Sequence, residues 1–264
     1  MLVVSYSGGM IPIDFQVTAM PAFVMLGNGR VFVSGAVPAI FPGPALPPIL
    51  ERTLTPDGIQ SVLEAVEETG LFTADVELRG AAGMVADASD TVFALNAAGR
   101  QVTVTVYALG MVAPDMEPPP GMSSAEVEAH RVLAQLNDAL AAIDTSVAAE
   151  DWEAEGFRPY EPEAFRLYVR DATGEPIDAG IGEDVRDWPT DDDPATAGEE
   201  VEFFGDGTRC AVVEGDAAAI WFAELIEATQ VTQWTSDGTN RYAVQARPLL
   251  PYEDAACPEE NEAS

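Results

Sequence analysis

The sequence contains no lysine; its 12 basic residues are all arginine, against 45 acids. It also has one histidine and two cysteines, and no apolar run of membrane-spanning length. Each shortage excludes something. Without lysine there is no phosphate loop of the G-x-x-x-x-G-K-[ST] type. One histidine cannot build H-E-x-x-H or a mixed Cys/His zinc set. Two cysteines outside any C-x-x-C exclude a zinc knuckle and a thioredoxin-type motif. G-x-S-x-G is missing, and with it the hydrolase elbow. Gly27-Asn28-Gly29 lacks the third glycine of a dinucleotide fingerprint. A formal net charge of −33 repels phosphate backbones and anionic lipid, so neither nucleic acid nor an anionic membrane surface is expected as a partner.

What is there is a folded chain. Of 264 residues, 47% are hydrophobic, enough for a substantial core and too many for a disordered polymer. The charge is unevenly placed. Residues 1–50 hold one acid, Asp14, and one base, Arg30, whereas residues 150–204 hold 18 acids against four arginines. The acidic stretch reads as a solvated face or as a surface for divalent cations or a cationic partner.

Local patterns predict an α+β fold in which antiparallel hairpins carry helices on one face, in two sub-domains. "FVMLGNGRVFV" alternates around a glycine turn and predicts a hairpin. The proline-dense "VPAIFPGPALPP" excludes helix and central strand, leaving an extended segment or a cover for a sheet edge. "TPDGIQSVLEAVEETGL" opens with Thr55 as cap and Pro56 at the first helical position. Ile59, Val62, Leu63 and Val66 make its apolar stripe, and Gly70 closes it. A second hairpin is expected around Ala98-Gly99, then a proline loop in "APDMEPPPGM". Ser123 and Glu126 form a capping box for a helix running through Ile143, on the stripe Val132, Leu133, Leu136, Leu140 and Ile143. The first domain thus covers residues 1–146 and a Glu/Ala-rich linker residues 147–159. A second domain spans residues 160–252, followed by an acidic tail, residues 253–264. In that second domain "AFRLYVR" and "TRCAVVEG" read as strands flanking a long acidic loop. Asp216 is expected to cap a helix from Ala217 to about Thr229, with Ile220, Trp221, Leu225 and Ala228 as its apolar side.

Few residues offer chemistry. His130 is expected on the exposed face of its helix. Asp191, Asp193 and Glu202 have the outline of a calcium loop. Ala195 and Thr196 stand where that loop needs an oxygen ligand and a glycine, so the EF-hand reading fails. A different calcium site through Asp187, Asp191, Asp192 and Asp193 remains; no other cofactor is expected. Cys210 and Cys257 either bridge or stay as two buried thiols; a bridge would favour an oxidising compartment. Trp152, Trp188, Trp221 and Trp234 either stack on sugars or fill cores. The charge-poor "SYSGGMIPIDF" and "FPGPALPP" either cover a sheet edge or form an apolar binding ridge with Tyr6, Phe41, Pro42 and Pro44.

The segments "SYSGGM", "LGNGRVFVSG", "FPGPALP", "LTPDGIQSVLEAVEETGLF" and "TVTVYALG", in that order, resemble a largely actinobacterial family of secreted proteins and lipoproteins without assigned activity. The closing "RYAVQARPLLPYEDAAC" is similar too. The resemblance implies an extracytoplasmic location behind a leader with a lipid-modified cysteine, and implies no catalytic residue or cofactor. Here Met1 runs directly into "LVVSYSGG", with neither basic region nor cleavage site. That leaves a cytoplasmic chain, or a start downstream of a leader. The expectation is a non-catalytic envelope or secreted protein that binds a protein or polymer. The alternatives are a hydrolase using scattered carboxylates and a calcium-stabilised structural protein.

Overall fold

The computed structural model describes residues 1–83, 85–111, 122–175 and 184–258. The protein is α+β, and its chain divides into two units. The first gathers residues 1–11, 20–34 and 49–160; the second gathers residues 12–19, 35–48 and 161–264. The described helices are α1 (Ile13–Thr18), α2 (Pro56–Glu68), α3 (Ser124–Ala141), α4 (Ile143–Ser146) and α5 (Gly215–Leu225). The expected proline loop at residues 113–122 falls almost wholly outside the described residues, as does part of the acidic loop after Glu175.

The first unit is built on eight strands: β1 (Leu2–Ser7), β2 (Phe23–Met25), β3 (Arg30–Ser34), β4 (Ile49–Thr53), β5 (Val76–Leu78), β6 (Asp90–Ala97), β7 (Arg100–Tyr107) and β8 (Arg158–Pro159). Their order is β5-β7-β6-β1-β2-β3-β4-β8, antiparallel except for the β5–β7 pair. The first three residues of "SYSGGMIPIDF", Ser5 to Ser7, are therefore strand and no edge cover. β1 lies mid-sheet, with Leu2 opposite both Met25 and Leu95. Burying it desolvates no ionised group, which is what its composition permits. Leu2 and Val4 join the core under α2 and α3, while Val3, on the other face, is also buried.

Both long helices are set by local chemistry. The Thr55 hydroxyl accepts from Gly58 N at 3.2 Å, and Gly70, at φ +71°, donates to the Glu67 carbonyl. Val62 and Val66 are fully buried against the sheet. Burial of two such side chains is worth roughly 1.5–3 kcal/mol each, well above any difference in helix propensity. Ser123 and Glu126 complete their capping box around α3. That helix stops at Ala141, breaks at Ala142 and resumes as α4, so Ile143 reaches the core from a separate short turn.

The expected linker at residues 147–159 is part of the first unit. Trp152 is buried, bridges to Leu54 and has the Arg52 guanidinium 4.1 Å from its ring; Arg158 and Pro159 pair with β4. A single buried tryptophan outweighs the acidic composition around it.

The second unit has six strands: β9 (Ala164–Asp171), β10 (Val185–Asp187), β11 (Glu199–Glu200), β12 (Arg209–Glu214), β13 (Gln233–Thr235) and β14 (Tyr242–Pro248), in the order β10-β13-β14-β9-β12-β11. Only β10 and β13 run parallel. α5 packs on one face, where the ring of Trp221 sits 4.8 Å from that of Trp188 and 5.1 Å from that of Trp234. The tryptophans are core. Asp216 does not cap α5: Glu214 holds the cap position with no side-chain bond, and Asp216 lies in the first turn. The helix ends at Leu225, and Ile220 is half exposed on its outer side. The acidic loop contributes β10, β11 and a 3₁₀ turn at Pro194–Thr196.

Gly58 tests the seating of α2. A Cβ there would lie 2.5 Å from the Asp151 carbonyl oxygen and 2.9 Å from a Leu54 methyl. Ala in place of Gly normally gains about 1 kcal/mol in a helix. Here Gly58→Ala is expected to cost roughly 1–3 kcal/mol instead, read as a lower urea midpoint; a raised midpoint would show that α2 does not rest on that turn.

Candidate functional site

The second face of the six-stranded sheet carries a candidate site. Along β9 the residues alternate: Phe165, Leu167 and Val169 enter the core under α5, and Arg166, Tyr168 and Arg170 point the other way. Register then places Arg247 beside Arg166, Gln245 beside Tyr168 and Ala243 beside Arg170 on β14, with Cys210 beside Tyr168 on β12.

Three pieces of chain cover this face. α1 packs on β14, with Val17 in an apolar cluster of Tyr168, Val201, Cys210, Phe203, Phe204 and Cys257. The turn at residues 202–206 supplies Phe204 and Asp206. Residues 249–258 form a strap. Cys210 and Cys257 are disulfide-bonded, with Cα atoms 6.0 Å apart. Arg166 donates to the carbonyls of Ala256 and Asp254, and Arg247 donates to Glu253 at 2.6 Å and to the Ala19 carbonyl. The expected acidic tail is thus anchored as far as residue 258, because one bridge and two guanidinium forks hold it.

Between these covers lies a cavity of about 270 Å³, lined by Ile13, Tyr168, Arg170, Phe204, Asp206, Thr208, Ala243 and Gln245. All of these residues belong to the second unit. Its charges are mutually bound. Arg170 donates to both Glu175 oxygens and has Asp206 Oδ2 3.8 Å from its Nε. The hydrogen bond to Glu175 raises the Arg170 pKa above the ordinary arginine value, and the same bond lowers that of Glu175. Asp206 Oδ1 accepts from Thr208 N at 3.0 Å and from the Thr208 hydroxyl. Tyr168 is 2% exposed, and its hydroxyl has no hydrogen-bond partner among the described residues. Burial pushes this phenol up, and the nearby Arg166 and Arg247 partly oppose that.

The residues singled out from sequence divide sharply. Tyr6 is half exposed on β1 in the first unit, whereas Phe41, Pro42 and Pro44 lie in the second. Phe41 is exposed at 68%, and Pro44 bridges to Thr229 beside the core containing Leu46. Asp187, Asp191, Asp192 and Asp193 are all exposed, and among the described residues no group of three or more acids, histidines or cysteines is placed to hold a metal ion. Asp193 Oδ1 accepts from Ala195 N at 3.0 Å and starts a 3₁₀ turn; Asp192 faces the Trp188 indole N–H at 3.4 Å. Two of the four carboxylates, Asp192 and Asp193, thus accept from an indole and a backbone donor. The pocket residues were missed because they come from four distant stretches. One local signal was readable: Asp206-Gly207-Thr208 is an Asx-turn pattern.

His130 is corrected. It is 1% exposed in the first unit rather than on the outer face of α3, and neither ring nitrogen has a partner among the described residues. The stripe of α3 is wider than its aliphatic residues alone indicate. Burial lowers the His130 pKa, against the pull of Glu126.

Among the described residues no helix is long and apolar enough to cross a membrane. Comparison with protein-family models, curated proteins and solved structures finds no match.

A depressed histidine pKa has a definite sign in linkage. The folded state resists protonation, so this contribution is intact above the ordinary histidine pKa and is lost as pH falls through it toward the folded value. Between about pH 7.5 and about pH 5, the wild-type urea midpoint should fall relative to that of His130→Leu. Parallel curves for the two proteins would refute the burial of the ring.

Proposed function

We propose that this chain is a non-catalytic binding protein of an oxidising, extracytoplasmic compartment, secreted or in the cell envelope, and that it holds a partner or polymer on the second face of its six-stranded sheet. The observation that carries this reading is the Cys210–Cys257 bond, which fixes the strap on the face that bears the cavity. Such bonds persist where glutathione does not reduce them. The family resemblance points to the same compartment. The net charge of −33 keeps the chain soluble and away from anionic surfaces.

The cavity lining supports binding more than bond-breaking. It contains no imidazole, thiol or amine, and its carboxylate and guanidinium are tied to each other and to Thr208. A nucleophile and a base near neutrality are the usual minimum for acyl or phosphoryl chemistry.

Two measurements test the reading. Native protein from an oxidising compartment should show no alkylatable thiol, and reduction should remove roughly 4 kcal/mol of stability, the chain-entropy value for a loop of this length. Immobilised full-length protein should retain solubilised cell-envelope polymer, and Phe204→Ala should lose that retention while its melting temperature stays within a few degrees of wild type. Two reactive thiols in the native protein would remove the compartment. Equal retention by Phe204→Ala would remove the site.

A further inference from the structure

The cavity on the second face constrains its occupant by size, charge and surface. At about 270 Å³ it has the volume of roughly nine waters, which is room for a single ring and not for an extended peptide. We propose that it takes one neutral, polyhydroxylated ring, a saccharide unit. This inference rests on the binding role argued above and names its ligand class.

Charge excludes the alternatives first. Arg170 is the cation of the lining, and it is already held by both oxygens of Glu175 and faced by Asp206. An anion entering here would have to displace a carboxylate, against the field of a protein of net charge −33. A cation meets the converse difficulty. Asp206 accepts two bonds from Thr208 through Oδ1, and its Oδ2 faces Arg170. Neither sign of charge finds an uncompensated partner.

The surface then matches a sugar. The ring of Phe204 stands 5.6 Å from that of Tyr168, tilted by 56°, and with Ile13 they give the cavity an apolar side. The remaining lining includes two neutral polar residues, Gln245 and Thr208, the latter donating its hydroxyl proton to Asp206. A pyranose has the same division, one face of C–H groups and a rim of hydroxyls that each donate and accept. The Tyr168 hydroxyl adds an independent observation. It is buried, partnerless among the described residues, and belongs to a residue that lines this cavity. An orphaned buried hydroxyl costs stability, and such groups concentrate where a ligand or water supplies the missing bond.

The test is ligand-observed saturation-transfer NMR on the full oxidised chain. The probes are the methyl glycosides of glucose, galactose, mannose and N-acetylglucosamine, with choline and inorganic phosphate as charged counterparts. At least one glycoside should bind with a Kd on the order of millimolar, as befits a single ring. Phe204→Ala and Gln245→Ala should each weaken it about tenfold or more. Gln245 is exposed, so its truncation removes no buried packing, and an unchanged melting temperature of this variant guards against a trivial loss through unfolding. If no glycoside binds, or if the variants bind it unchanged, the inference fails. If choline or phosphate binds in a manner sensitive to both variants, the saccharide class is overturned and the binding role stands. If no probe binds and Phe204→Ala retains envelope polymer like wild type, both readings fall together.

Discussion

Much of this protein consists of irregular chain laid across sheets, and every carbonyl so buried needs a donor. Backbone N–H groups supply many of these donors, and arginines supply others. Arg52 reaches the carbonyl of Ala154, Arg186 that of Glu227, and Arg209 those of Ala197 and Gly198. Arg166 holds Asp254 and Ala256, and Arg247 holds Ala19. A guanidinium presents several donors in a fixed fork and stays charged at all relevant pH values, so one side chain can satisfy two carbonyls or a carbonyl and a carboxylate together. An ammonium would serve the same carbonyls as a floating point charge. The absence of lysine is therefore consistent with how the structure is fastened, whatever its origin in the coding sequence.

That fastening acts on a surface prepared by strand geometry. Because successive residues of β9 face opposite ways, one strand both completes the tryptophan core and presents Arg166, Tyr168 and Arg170 on the other side. A row with two guanidiniums and a phenol cannot be left under a dry apolar cover. The strap meets this demand at the Arg166 end with carbonyls, with the Arg247–Glu253 pair and with the Cys210–Cys257 bridge. At the Arg170 end the cover is thinner, the charges are paired sideways with Glu175 and Asp206, and the cavity results. The site is thus a consequence of how one alternating strand is covered unevenly along its length.

This also marks the line between what the sequence makes legible and what it conceals. The cap at Thr55, the capping box at Ser123 and the hairpin turn at Ala98-Gly99 depend on neighbours a few residues away, and each stands in the structure as the pattern predicts. Residues 12–19 and 35–48 show the opposite. Their partners, such as the core around Leu46 and the cluster around Val17, come from residues beyond 160, and no local period records that. Trp152 was concealed by its acidic neighbours, and His130 by its residue type, since a lone imidazole on a helix is ordinarily solvated. The cavity combines residue 13 with residues near 168, 206 and 244. Only the Asx pattern around Asp206 was visible before the fold brought those stretches together.

Several of the exposed aspartates share one local arrangement. Asp171 accepts from Thr173 N, Asp193 from Ala195 N, Asp206 from Thr208 N and Asp237 from Thr239 N, each two residues on. For Asp171 and Asp237 these bonds pull the pKa below the usual aspartate range, as expected when backbone N–H groups stabilise the ionised form. A carboxylate engaged in closing its own turn points along the chain and gives up its best lone pairs. Other acids pair directly with arginines, as Glu175 does with Arg170 and Glu253 with Arg247, and the excess adds to the long-range field. On the binding role proposed above, selectivity at the cavity falls to the uncharged residues Tyr168, Phe204, Thr208 and Gln245, because the charges of the lining are paired.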